Sequence, residues 1–328
     1  MINVAIVGAT GVVGKMFLKV LEEKNLNIDN YVLFASKRSK GKKIKFMNKE
    51  YIVEELTENS FDNNRFNYAL FSAGATTAEK YAKIAAKNGC IVIDNSSCFR
   101  MDKSVPLVVP QVNMEDAYDN FNIISNPNCS TIQAVIPLKV LDDKYKIKRV
   151  IYSTYQAVSG AGKKGIDDLK NNTTTKFDYP IVNNCLPQID VFLENNYTKE
   201  EMKMIEETRK ILRKPKLPIT ATCARVPTLN CHCESINVEL EYDFKIEDIK
   251  TLLNNSEGII VLDDPKRNIY PINTFVSGND EVYIGRIRRD FSVENGINLW
   301  CVADNLRRGA ATNAVEILEN LIKKNSAY

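Results

Sequence analysis

The chain has 328 residues, 44% of them hydrophobic and 26% charged, with 14 Gly and 11 Pro. That apolar content excludes intrinsic disorder, and the composition excludes collagen-like and low-complexity chains. Lys and Arg exceed Asp and Glu by 44 − 41 = 3, a balance that argues neither for nor against nucleic acid. No uncharged apolar stretch approaches the ~18 residues of a membrane helix. At ~100–200 residues per domain the length predicts two domains, or one large one. The 8 Cys form no CxxC pair and follow no secretory leader, so they read as reduced thiols of a cytoplasmic protein.

The first part of the chain alternates strand and helix patterns. A β-branched run at 3–7 is followed by glycines, then by helical periodicity over 15–24 with Phe17, Leu18 and Leu21 near one face. Further strands are expected at 31–35, 68–72 and 90–94, and a helix at 78–88. This alternation predicts parallel βαβ units, hence a Rossmann-type doubly wound α/β sheet over about the first 125 residues. After Cys129 the expected strands at 149–155 and 235–242 are longer. An Asn-rich irregular stretch, 171–196, lies between them. An exposed helix is expected at 199–214 and an amphipathic helix at 310–323. The second region reads as α+β.

Gly8, Gly11 and Gly14 sit between the first strand and the first helix. In that context glycines let the backbone approach a pyrophosphate, whose charge meets free N–H groups at the helix start. NAD enzymes tend to carry a carboxylate at the end of the second strand, ~20 residues on. Here the segment is Ser36-Lys37-Arg38-Ser39-Lys40, without an acid. A guanidinium with hydroxyls suits a 2′-phosphate, which favours NADP; the alternative is a solvated basic loop.

Ser125-Asn126-Pro127-Asn128-Cys129-Ser130-Thr131 is a polar turn running into an apolar helical segment, 132–141. Cys129 is thus expected at a helix N-terminus, where the dipole favours the nucleophilic thiolate. The chain has a single His, so any histidine partner is His232. A strand starting at Cys231 would place Cys231 and Cys233 on one face and His232 on the other, which prevents a Cys-His-Cys metal site; no metal is expected.

Gly8-Ala-Thr-Gly-Val-Val-Gly14, Asp94-Asn-Ser-Ser-Cys-Phe-Arg100, Asn126-Pro-Asn-Cys-Ser-Thr131, Tyr155-Gln-Ala-Val-Ser-Gly160 and Arg225 to His232 occur in this order. Together with the segment Asp304-Asn-Leu-Arg-Arg-Gly-Ala-Ala311 they resemble the aspartate-semialdehyde dehydrogenase family, in its bacterial-type branch. The resemblance implies reversible, NADP-dependent interconversion of aspartyl β-phosphate with aspartate β-semialdehyde and phosphate, in lysine, threonine, methionine and isoleucine biosynthesis. It implies an acyl-thioester on Cys129, with His232 accepting the hydroxyl proton as hydride leaves. Gln156 would orient the substrate and Asn128 help fix the reacting carbonyl. Arg225 would clamp the α-carboxylate and Glu200 meet the α-amino group, while Arg100 and Lys203 would bind phosphate. From the residues alone, Glu200 and Lys203 read as an ordinary exposed helix pair.

The resemblance further implies cofactor contacts at Gly8, Thr10, Gly11, Val12, Val13, Arg38, Ser39, Ser72, Ala73, Gly74, Ser159, Gly160 and Asn305. It divides the chain into an NADP-binding domain, 1–127 plus 309–328, and a catalytic and dimerisation domain, 128–308, in a homodimer or homotetramer. Gln111 stands where the family is expected to show an acid, and no role is given to it. The rivals are a sibling acyl-phosphate or acyl-CoA reductase and a non-catalytic NADP-binding paralogue. Asn128 disfavours an N-acetyl-glutamyl-phosphate reductase, in which a Gly usually precedes the Cys, and an N-acylated substrate would have no use for Glu200.

Overall fold

A computed structural model of the chain describes residues 1–326. The chain forms two compact units, Met1–Pro127 with the C-terminal residues from Ala310, and Asn128–Gly309.

The first unit is built on β1 (Asn3–Val7), β2 (Asn30–Ala35), β5 (Glu54–Glu55), β6 (Tyr68–Phe71), β7 (Ile91–Asp94) and β8 (Ile123–Ser125), with a separate hairpin of β3 (Lys43–Phe46) and β4 (Lys49–Ile52). The order is β5-β2-β1-β6-β7-β8, and every pairing within the six-stranded sheet is parallel. Parallel strands bury both faces, and the apolar residues divide accordingly. Val4, Ile6, Leu33 and Leu70 pack with Phe17 and Leu21 of α1 (Val12–Lys24) and with Val315 and Leu318 near the C-terminus. Ala5, Val7, Phe34, Phe71 and Val92 face Ala78 and Ala82 of α2 (Ala75–Lys87) on the other side. The doubly wound α/β sheet expected from the sequence is present. The β3–β5 segment was not foreseen, because its strands are short and largely polar.

Residues 95–128 add only a short helix, α3 (Pro110–Asn113), a 3-10 turn and β8. Gln111 donates to Glu316 at 2.9 Å, which gives it a place within the unit.

The second unit carries a mixed sheet of β9 (Ile147–Gln156), β10 (Ile219–Arg225), β11 (His232–Leu240), β12 (Ile259–Val261), β13 (Val282–Asp290) and β14 (Gly296–Ala303), in the order β10-β9-β11-β14-β13-β12. Tyr152, Ile236 and Leu299 are neighbours on its covered face. The helices of this unit are α4 (Cys129–Tyr145), α5 (Gly162–Asn171), α6 (Lys199–Ile211), α7 (Ile246–Asn254) and α8 (Asn273–Val276); a π-helical turn at Arg307–Thr312 then leads the chain into α9 (Asn313–Ser326), which belongs to the first unit. The opposite face leaves Tyr155 exposed and Trp300 half-buried, their rings 5.7 Å apart.

Two expectations need correction. The strand expected at 235–242 runs from His232 to Leu240, and it does not reach back to Cys231, whose φ of 68° is not extended. Helix α6 is not an exposed polar helix. Glu200, Glu201 and Glu207 are buried on it beside Met204 and Ile205, and each carboxylate accepts hydrogen bonds from groups outside the helix. Hydropathy alone reads such acids as solvated. Among the described residues no helix is long and apolar enough to cross a membrane.

Gly14 shows how tightly the first strand and helix are joined. A Cβ there would lie 2.0 Å from the Gly8 carbonyl oxygen and 2.9 Å from Ala9 Cα, both backbone atoms. Gly14→Ala should therefore force α1 away from β1 and destabilise the first unit by about 1–3 kcal/mol. Thermal unfolding would read this as a midpoint lowered by roughly 2–4 °C per kcal/mol; an unchanged midpoint would show that the contact yields freely.

Candidate active site

In the second unit the polar turn before α4 places Cys129 at the first position of the helix. Asn128 is the N-cap: its Oδ1 accepts from Ser130 N at 2.9 Å and Thr131 N at 3.3 Å. Such a cap satisfies free helix N–H groups and contributes about 1 kcal/mol. Asn128 Nδ2 donates to Glu200 Oε1 at 2.9 Å, and the Asn128 N–H to Glu207 Oε2 at 2.6 Å. Its amide is thus committed to holding the turn and Glu200.

The thiol of Cys129 meets His232, with Sγ 3.2 Å from Nε2. His232 is fully buried, and its Nδ1 accepts the Ala157 N–H at 3.0 Å. Burial, with the positive charge of Arg225 nearby, holds the imidazole pKa well below its usual value, so the ring is neutral at pH 7. The ring is seated by its neighbours. Gln133 Nε2 donates to the His232 carbonyl at 3.2 Å, and Asn305 Oδ1 accepts the Cys231 N–H at 3.0 Å, fixing the turn just before it. Asn305 also donates to Ser159 Oγ at 3.0 Å. At Gly160 a Cβ would stand 3.1 Å from Arg225 Nη1 and 3.3 Å from the His232 ring, so only glycine lets this backbone lie so close to both.

Charged and amide groups surround the pair. Arg225, at the end of β10, is buried; its Nη1 donates to the Ala157 carbonyl at 2.7 Å, while its Nε has no protein acceptor. Gln156, at the end of β9, donates to Glu200 Oε1 at 3.1 Å and Thr154 Oγ1 at 3.2 Å. Lys203 bridges Glu200 Oε2 at 3.1 Å and Asp190 Oδ2 at 2.9 Å. Burial alone would raise the Glu200 carboxyl. Lys203, the Asn128 amide, Arg225 and the Gln156 amide outweigh it and hold the pKa below its usual value. The structure therefore gathers Cys129, Asn128, His232, Gln156, Glu200, Lys203 and Arg225 into one connected site. The pairing of Glu200 with Lys203 is there, but buried.

Three contributors had no signal in the sequence. Asp190 and Glu207 are isolated acids brought in by the fold, and the Ala157 N–H is a backbone group that no motif marks.

In the first unit the glycine turn leads directly into α1. Its N-cap, Gly11, provides no side-chain cap, and the first turn holds no acid. The N–H groups at this helix start suit an anionic pyrophosphate, so the residues present fit a dinucleotide. Thr10 Oγ1 lies 3.4 Å from Ser39 Oγ, which brings the end of β2 to the glycine loop. Ser39 is buried and Arg38 exposed beside it. Ser72 Oγ donates to the Val7 carbonyl at 3.2 Å, leading into Ala73 and Gly74 before α2. Arg100 is buried and donates to the carbonyls of Asn126 and Asn95, each at 3.0 Å. Among the described residues no group of three or more His, Cys, Asp or Glu could hold a metal.

Two family models match the chain, "Semialdehyde dehydrogenase, NAD binding domain" over residues 3–120 and "Semialdehyde dehydrogenase, dimerisation domain" over residues 138–308. The aspartate-semialdehyde dehydrogenase of Aquifex aeolicus is 53% identical over 336 residues, covering 98% of each chain. A crystal structure of aspartate semialdehyde dehydrogenase II from Vibrio cholerae, complexed with ASA, superposes with a TM-score of 0.95 at 45% identity, covering 98% of each chain. The Candida albicans aspartate semialdehyde dehydrogenase with NADP superposes with a TM-score of 0.80 at 26% identity, covering 99% of each chain. With its doubly wound first unit, its mixed-sheet second unit and a half-buried cysteine beside a buried histidine, the chain belongs to the aspartate-semialdehyde dehydrogenase family of oxidoreductases.

Proposed function

We propose that this protein is an NADP-dependent, phosphorylating aspartate-semialdehyde dehydrogenase that works through an acyl-thioester on Cys129. The observation that carries this reading is the 3.2 Å approach of Cys129 Sγ to His232 Nε2 at the start of α4. A thiol at a helix N-terminus beside an imidazole is an activated nucleophile.

Cys129 attacks the aldehyde carbon in the oxidative direction, or the acyl phosphate in the reductive one. When bound, the nicotinamide dinucleotide supplies the hydride chemistry. Arg225 suits the substrate α-carboxylate, because its buried Nε–H has no acceptor in the protein and a guanidinium binds a carboxylate bidentately. Glu200, held ionised, suits the α-ammonium group. Gln156 stands beside Glu200 and orients the substrate, and Asn128 fixes the turn that carries the nucleophile. Lys203 offers its ammonium to phosphate, together with Arg100. Asn305, Ser159 and Gly160, bound together or packed beside the histidine, would border the nicotinamide.

The glycine loop, residues Gly8 and Thr10 to Val13, would hold the pyrophosphate, with Ser72, Ala73 and Gly74 opposite. Arg38 and Ser39 would hold a 2′-phosphate; a guanidinium beside a hydroxyl, with no acid among residues 36–40, favours NADP over NAD. The NADP in the Candida albicans structure supports the same choice. The first unit is assigned the dinucleotide and the second the chemistry and self-association. The uncovered sheet face with Tyr155 and Trp300 suits a second copy of the chain, in a homodimer or a pair of dimers. The product would feed lysine, threonine, methionine and isoleucine synthesis in the cytoplasm.

The primary test is NADPH formation from aspartate β-semialdehyde, with and without phosphate. Wild type should reduce NADP strongly only with phosphate, and Cys129→Ala should lose at least about 10³-fold in kcat/KM. No turnover by folded wild-type protein would sink the substrate assignment.

Arg38→Ala should raise KM for NADP about tenfold, the ratio that ~1.4 kcal/mol represents, and leave KM for NAD within about twofold. Equal effects on both would refute the 2′-phosphate role.

Burial of neutral His232 also links stability to pH. Its folded pKa lies below the unfolded value of ~6.5. Between those values the unfolded chain binds the extra proton, so stability is complete above ~6.5 and falls as pH drops toward the folded value. Comparing denaturant midpoints at pH 7 and pH 5.5, His232→Asn should show a smaller loss than wild type; an equal loss would mean the ring is charged in the folded protein.

A further inference from the structure

The basic residues of the chain are not spread evenly. Residues 36–49 contain Lys37, Arg38, Lys40, Lys42, Lys43, Lys45 and Lys49 and no acid. The remaining 44 − 7 = 37 basic residues are outnumbered by the 41 acidic ones, so a chain of small positive net charge is a net negative body with one positive stripe. All seven cations are exposed. Lys40 pairs with Glu55 at 3.5 Å and Lys43 with Glu50 at 2.7 Å. Among the described residues Lys37, Arg38, Lys42, Lys45 and Lys49 have no carboxylate partner. Like charges so placed repel one another, and an anion relieves that repulsion.

The fold lays the stripe out from the glycine turn. At its near end Ser39 Oγ is 3.4 Å from Thr10 Oγ1, and the Lys42 N–H donates to the Ser39 carbonyl at 3.2 Å. At its far end the β3–β4 hairpin turns its apolar side chains inward. Phe46 packs edge-on against Tyr31, ring centroids 4.9 Å apart, and Tyr51 packs on Phe46. Lys45 alternates with Ile44 and Phe46 and so faces solvent, and Lys49 is exposed at the start of β4. Tyr31 lies near the start of β2, whereas the glycine turn meets the residues that follow its end. At ~3.3 Å per residue the far end of the stripe is therefore about 13 Å from that turn.

We propose that residues 37–49 form an electrostatic guide for the phosphate-bearing dinucleotide, in which Lys45 and Lys49 draw the anion toward the glycine turn and raise its association rate without touching it once bound. The inference rests on the dinucleotide reading of the first unit and concerns how that ligand arrives rather than what holds it. A charge about 13 Å away is beyond hydrogen-bond reach, yet well inside the ~30 Å screening length of 0.01 M salt. Charges at the rim of a site act on association and on its salt dependence. The guide also discriminates before contact: NADPH carries a pyrophosphate and a 2′-phosphate, NADH the pyrophosphate alone. A polynucleotide is the poorer fit, because Phe46 is buried and Tyr51 half-buried against it, leaving no exposed ring in the hairpin to stack on a base.

The test is stopped-flow binding of NADPH and NADH to the whole protein without substrate, followed by nicotinamide fluorescence at ~0.01 M and ~0.5 M salt. Wild type is compared with the double variant Lys45→Glu, Lys49→Glu, whose folding is checked by its thermal midpoint. At low salt the variant should lose about fivefold or more in NADPH association rate, with dissociation within about twofold of wild type. The two proteins should converge at high salt, and their NADH rates should differ by less than their NADPH rates. Lys45→Gln with Lys49→Gln, which removes the charges without reversing them, should fall between the two. An unchanged association rate at low salt, a loss that persists at high salt, or a change confined to dissociation would each overturn the proposal. So would tighter binding of wild type to a single-stranded oligonucleotide than to NADPH, lost in the same variant. Failure of wild type to bind NADPH at either salt would overturn the NADP reading and the proposal together, whereas NADPH binding at equal rates in all three proteins would overturn the proposal alone.

Discussion

The geometry of the site in the second unit depends on the peptide and side chain of Asn128. One amide group caps α4 and holds Glu200, and the residue's own N–H is anchored by Glu207. Capping decides where the helix starts, and the helix start decides where Cys129 sits relative to the positive end of the dipole. Glu200 in turn holds Gln156 and Lys203. A small displacement of Asn128 would therefore move a thiol, an acid and an amide together. It is buried, and its side-chain oxygen and nitrogen both have partners. An aspartate could still cap the helix, but would turn a carboxylate toward Glu200.

The electrostatics follow from the same enclosure. Glu234 lies on β11 two residues past His232, fully buried, with neither carboxylate oxygen hydrogen-bonded to the protein. Burial, with the negative charge of Glu200, pushes its carboxyl well above the usual range. That shift disfavours a negative charge at Glu234, a charge that would otherwise favour an imidazolium at His232. Glu200 differs because it has donors: two amides, one ammonium and the field of Arg225. Two buried glutamates are thus shifted in opposite directions by the number of donors each reaches. Desolvation disfavours charge on both His232 and Glu234, whereas the charge of Glu200 is compensated by Lys203 and Arg225.

The doubly wound sheet was legible because its strands are apolar runs joined by helical periodicity, and the glycine turn marks where the first strand meets its helix. Cys129 was legible because a polar turn precedes a long apolar segment. What could not be read has a common physical cause. Glu200 and Lys203 look like a surface pair, since hydropathy carries no information about partners supplied by Asn128, Gln156 and Asp190. Family resemblance marked them; burial explains them. The strand expected at 235–242 runs from His232 to Leu240, and the turn before it, with a positive φ at Cys231 and an N–H held by Asn305 far along the chain, has no local signal. Local pattern has no access to such a contact.

The role of His232 is the sharpest case of that limit. Residue identity gives an imidazole near a thiol, and an imidazole near a thiol is ordinarily read as a base. The backbone adds a constraint that residue identity does not show, the Ala157 N–H meeting Nδ1 at 3.0 Å. The same peptide touches two charged or ionisable groups of the site. Its N–H holds the histidine ring and its C=O accepts from Arg225. The group that seats the ring is thus on a residue whose side chain is a methyl, at the end of a strand held by β10 and by the turn at 226–229. Substituting that side chain would leave the amide in place, so side-chain scanning would pass over Ala157, while any change that shifts the strand end would alter histidine and arginine together.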